Sequence, residues 1–179
     1  LLLLLFLTGC STPYFQDAGT APEPERFSLE TWPHRELWTG VVFNGEKVGF
    51  TRRQVRAAGD LWEVESEAVM RLQFLGVEKR IRLRSLDRVR SDLTLEAFRY
   101  EHEIDGSQLF VSGDVKASVL KYSVKARGST EQRELPLTRP VYPTSALAFL
   151  PLKDLKVGAS GRYDVFHGET QSITQAEQQ

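Results

Sequence analysis

Few side chains in this chain could do chemistry, and their spacing decides how much. The three histidines, His34, His102 and His167, lie far apart, with no carboxylate or cysteine at metal-ligand spacing around them. No metal or other cofactor is therefore expected, and His102 reads as a histidine at the edge of the core. Ser66 stands between Val64 and Ala68 without a G-x-S-x-G setting, so it reads as a small residue making room for a large neighbour. Glu63, Glu65 and Glu67 project from one strand face about 7 Å apart. Carboxylates at such separations can cleave glycosides, but only within a pocket that splits their pKa values. The better reading is cross-strand pairing with the basic stripe Lys79, Arg80, Arg82, Arg84, Arg88 and Arg90. Within that stripe, Arg80, Arg82 and Arg84 are the candidates for contact with a ligand or an anionic headgroup. No catalytic residue is assigned.

The elements that must position these residues are strands. Leu37 to Phe43 is aromatic and β-branched and ends at Asn44-Gly45, a two-residue hairpin turn that needs positive φ at both positions. The return runs over about 47–56 to a turn at Gly59-Asp60. Trp62, Val64, Ser66, Ala68, Met70, Leu72 and Phe74 then alternate with charged residues, the mark of a long strand with one wet face. Further alternations run through Val77 to Leu83, Phe98 to Ile104, Leu109 to Val115 and Leu120 to Ala126, with a weaker one over Arg133 to Leu137. Thr144 or Ser145 is expected to cap a short helix over Ala146 to Leu150, stopped by Pro151. A last pair of strands starts near Tyr163 and Thr170.

The fold class is thus mainly β. Two arrangements bury the apolar faces: an antiparallel sheet curled into a barrel or half-barrel, or two packed sheets. Long strands, with bends expected at Gly76 and Gly113, favour the curled sheet carrying one short helix. The domain spans 35–179. Residues 11–34, rich in Pro, Gly and small residues, are expected to form a flexible tether, with a short turn over Ser28 to Pro33.

Leu1 to Leu7 is an unbroken apolar run ending in Thr8-Gly9-Cys10, with Cys10 the only cysteine. The pattern resembles the lipobox of bacterial lipoproteins. That resemblance implies that 1–10 is a signal segment in which the Cys10 sulfur is lipidated and Cys10 becomes the mature N-terminus. Two or three acyl chains, at about 0.8 kcal/mol per buried CH₂, would hold the protein on a membrane. Ser11 after the cysteine is similar to the pattern sent to an outer membrane, so the expected place is the periplasm-facing cell envelope. With the thiol committed to lipid, neither a disulfide nor a cysteine nucleophile is expected. A formal net charge of −1 argues against nucleic acid as a partner. The missing initiator Met and polar C-terminal run are expected of a piece of a longer protein.

A second resemblance rests on Trp38-Thr39-Gly40-Val41-Val42-Phe43-Asn44-Gly45-Glu46-Lys47-Val48-Gly49-Phe50. It is similar to the opening of a β domain of envelope proteins that precedes a transglutaminase-like, papain-type Cys-His-Asp domain. Phe98 to Glu101, Leu109 to Gly113 and Tyr142 to Ser145 also fit. The resemblance implies that catalysis belongs to a downstream domain and that this domain is non-catalytic. Two other functions stay open: a lipid- or hydrophobe-binding carrier, its mouth lined by Phe149 and Tyr142, and an envelope assembly subunit.

Overall fold

A computed structural model describes residues 27–74, 76–153 and 160–178. Eight strands follow one another as an antiparallel meander: β1 (Glu36–Phe43), β2 (Glu46–Ala58), β3 (Leu61–Phe74), β4 (Val77–Val89), β5 (Leu95–Ile104), β6 (Ser107–Lys116), β7 (Val119–Ala126) and β8 (Ser129–Pro136). Short turns make this order. Asn44 and Gly45 sit at φ 50° and 81°, as the hairpin signal requires, and Asp105-Gly106 and Arg127-Gly128 repeat the arrangement.

A second, three-stranded sheet consists of β9 (Val141–Pro143), β10 (Gly161–His167) and β11 (Ser172–Gln178), with β10 in the middle. Together with two 3₁₀ turns, Thr144–Ala148 and Leu150–Leu152, it lies over one end of the large sheet. Two clusters join the layers. Val55, Trp62, Val64 and Val89 pack with Ala146, Phe149 and Leu150, and Phe98, Tyr100, Val111 and Tyr122 pack with Val141 and Phe166. Each such large side chain, once buried, stabilises the fold by about 1.5–3 kcal/mol.

Several expectations are corrected. The large sheet is open, with β1 and β8 at its two ends, and it is not strongly curled; a second layer covers it instead of closure. Gly113 makes no bend. It keeps a regular ladder between Phe98 and Tyr122, and a Cβ there would lie 2.5 Å from Tyr122 Cβ, so its bareness makes room for the tyrosine. Gly76 lies in the turn after β3, at φ 80°, where the end of the β3 alternation places a turn, and it bends no strand. The register irregularities fall elsewhere, at Val41/Val42 and Arg88/Val89. The short helix is replaced by the two 3₁₀ turns, and Pro151 lies inside the second rather than stopping the first. Neither Thr144 nor Ser145 caps it, because both hydroxyls are drawn to other strands.

The folded domain also begins before residue 35. Leu29 is buried, and Phe27 and Trp32 pack against Phe149. The expected tether therefore shrinks at this end; its residues 11–26, like Cys10 and the signal segment, lie outside the described residues.

Candidate functional site

The two faces of the large sheet carry different chemistry. On the outer face, register sets Arg52, Glu67, Arg84 and Glu101 side by side, a row of alternating sign. Arg84 Nε is 3.1 Å from Glu67 Oε1, and Arg80 Nε is 2.8 Å from Glu78 Oε1. Arg82 is register partner to Glu103. The expected basic stripe is therefore exposed but interleaved with carboxylates, as cross-strand pairing requires. Glu63 departs from its expected exposure. It is buried, and its carboxylate accepts from Arg56 Nε at 2.7 Å and Arg88 Nε at 2.9 Å. Those two hydrogen-bonded cations, Arg56 foremost, hold its pKa below the usual carboxylate value despite desolvation.

The inner face holds a pocket of about 290 Å³ at the border of the covering layer. Register explains its floor. Arg53, Ser66, Ser85 and Tyr100 form one cross-strand row, and Thr51, Ala68, Leu83 and His102 the next. The small Thr51, Ser66, Ala68 and Ser85 leave space in the middle of the sheet, with Arg53 on one side and Tyr100 and His102 on the other. Ser66 thus makes room for a pocket, not for a neighbouring side chain.

The back of the pocket is Asp87, which is fully buried. The Ser145 hydroxyl donates to its Oδ2 at 2.6 Å, while Oδ1 has no hydrogen-bond partner. Tyr100 Oη is buried next to this carboxylate, and Arg53 Nε is buried without a partner. Burial pushes the Asp87 carboxyl up to about 7, against the counter-effects of Ser145 and the nearby Tyr100 hydroxyl. Burial also raises the Tyr100 phenol well above its usual value and lowers the Arg53 guanidinium, which stacks 5.6 Å from the centre of the Phe149 ring. The Asp87 carboxyl and the Tyr100 hydroxyl lie close enough to shift each other's pKa, and so form one buried polar pair behind the pocket.

The roof comes from the β10–β11 turn. Gly168 rests on the Tyr100 ring so closely that a Cβ would lie 1.9 Å from Tyr100 Cδ2. That close approach brings Glu169 over the pocket, 3.9 Å from His102 Nε2. Desolvation lowers the His102 pKa more than Glu169 raises it. His102 is thus in the pocket wall, while His34 edges Trp32 and His167 bonds Thr174 at 2.7 Å. No group of three His, Cys, Asp or Glu among the described residues is placed to hold a metal ion.

Sequence reading missed Asp87, Arg53, Tyr100, Ser145 and Glu169 as a group. A signal was present. Asp87 falls in the inward phase of β4 between Ser85 and Val89, and Arg53 in that of β2 between Thr51 and Val55. A charge in an apolar phase needs a reason. The expected mouth at Phe149 and Tyr142 is not where the pocket lies: Phe149 is core, and Tyr142 packs edge-on against Tyr163. No described helix is long and apolar enough to cross a membrane. Compared with known proteins, the chain matches no family model, no curated protein and no solved structure.

Proposed function

We propose that this is a non-catalytic, periplasm-facing β domain of an envelope lipoprotein, anchored through Cys10 and seated against a downstream transglutaminase-like domain of the full-length protein. The reading rests on the lipobox and the Trp38 to Phe50 motif. One structural observation supports it: the second layer covers only one end of the large sheet. At the other end and along β1, the apolar Leu37, Trp38, Val42, Phe43, Val77 and Ile104 are exposed. Exposed apolar side chains at the uncovered end of the sheet and on both faces of its edge strand suit contact with another domain. The pocket, lined by Arg53, Asp87 and His102, suits a polar occupant better than the lipid or hydrophobe of a carrier.

Two measurements test this. Cys10→Ser should leave unprocessed precursor and abolish metabolic labelling with palmitate; continued labelling refutes the anchor. The full-length reading frame should continue into a domain with Cys, His and Asp in order, and Val42→Ser with Trp38→Ser should loosen that domain's contact, read as faster hydrogen exchange along β1. A frame that stops just beyond Gln179 removes the scaffold reading.

A further inference from the structure

The charges around the inner pocket do not cancel in place, and their arrangement specifies an occupant. Arg52 and Arg84 are committed to Glu36 and Glu67 on the outer side. What remains lining the cavity is one half-buried cation, Arg53, and two carboxylates, Asp87 at the back beside the Tyr100 hydroxyl and Glu169 at the roof. These lie on opposite sides. Arg53 is on β2 and Asp87 on β4, two strand spacings or about 10 Å apart, and Glu169 stands over His102 on β5. Between them the floor is small and partly hydroxylic.

A hydrophobe would cover the half-buried Arg53 and the exposed Glu169 carboxylate without offering either a counter-charge. A polyanion would meet Asp87 and Glu169, and a simple cation would meet Arg53. A molecule with a negative end and a positive end satisfies both walls. The cavity, about 290 Å³, is at the small end of ligand pockets. An extended dipeptide, at roughly 3.3–3.6 Å per residue, separates its termini by about 7 Å, which a long arginine side chain reaching inward from β2 can meet.

We propose that this pocket binds a small zwitterionic amino-carboxylate, of amino acid to dipeptide size, with its carboxylate on Arg53 and its ammonium between Asp87 and Glu169. Ser66 and Ser85 line the floor between the two charges. Ser145 fixes the Asp87 carboxylate through Oδ2. The arrangement assigns no bond-making step, only recognition, and it is independent of the anchor and scaffold reading: either can fail alone.

The test is calorimetric titration of the intact protein in detergent with L-alanyl-L-alanine, its N-acetyl derivative and its C-terminal amide, at about pH 8. Saturable one-to-one binding of the free dipeptide is expected, with each capped form weaker by tenfold or more. Arg53→Gln should erase the preference for the free carboxylate, and Arg53→Lys should restore part of it. Asp87→Asn, nearly isosteric and able to keep the Ser145 contact, should erase the preference for the free amine. Equal binding of the capped forms, equal binding of glucose, or no saturable binding of the dipeptide at millimolar concentration overturns the proposal. Coincident unfolding curves for the variants separate loss of recognition from loss of fold.

Discussion

The two ends of β3 follow the same alternation and meet opposite fates. Val64, at the covered end, is 1% exposed, whereas Met70 and Leu72, on the same face a few residues on, are only half-buried. Nothing in β3 itself distinguishes them. The difference is made by residues about 80 to 110 positions later, where the 3₁₀ turns and β10 settle over Val55, Val64 and Phe98 and stop short of Met70 and Ile81. Alternation chooses a face for each side chain; a second layer decides whether that face is buried. The pocket lies where one regime gives way to the other, and so it combines burial strong enough to shift Asp87 with access from outside.

The comparison can be broken by mutation. Phe166, fully buried between Phe98, Tyr100 and Tyr122, should lose about 3–5 kcal/mol on replacement by Ala, measured by denaturant unfolding. Met70→Ala and Leu72→Ala should cost clearly less than the roughly 2–5 kcal/mol expected of a buried site; equal losses at the two ends would end the distinction.

Asp87 offers a pH test. Its folded pKa, about 7, lies above the ordinary 3.8. The folded state therefore holds the proton more tightly, and the contribution of Asp87 is fully present below about pH 3.8. It falls as pH rises toward 7 and is gone above it, a range of roughly 4 kcal/mol. Asp87→Asn should remove that decline, so the stability of the variant relative to the natural protein should climb between about pH 4 and 7 and then level off. A pH-independent difference would place Asp87 in a wetter setting.

Gly168→Ala sharpens the border itself. The added methyl meets the Tyr100 ring, so the β10–β11 turn must lift, and both stability and the low exposure of His102 should suffer. Hydrogen exchange confined to 165–174 would show it. The smallest effect belongs to the outer face, where Glu65→Ala should change stability by within about 0.5 kcal/mol.

The register of the meander was legible because each strand carries its own period and each tight turn its own chemistry. Asn44-Gly45 and Asp105-Gly106 predict their hairpins from two residues each, since few residues accept positive φ. The pocket was not legible in the same way. Ser66 reads only as a small residue, and no local pattern says that Ser85, Asp87 and Glu169 meet it. The short stretch from Thr144 to Leu152 misled for a related reason. Its helix-like spacing is real, but the hydroxyls expected to cap it are taken by Phe166 and Asp87 across the layers.

By itself, the sequence determined the mainly β character, the run of hairpin-joined strands, the inward face of β3 to β7, and an apolar run ending at Cys10 that resembles a lipobox. These depend on backbone stereochemistry and on side-chain patterns a few residues long. Tertiary structure alone decided that the sheet stays open, that its cover reaches only one end, and that Arg53, Asp87, Tyr100 and Glu169 surround one cavity. Those outcomes depend on contacts between residues far apart in the chain, whose free energies come from mutual burial and desolvation and have no counterpart in any local stretch.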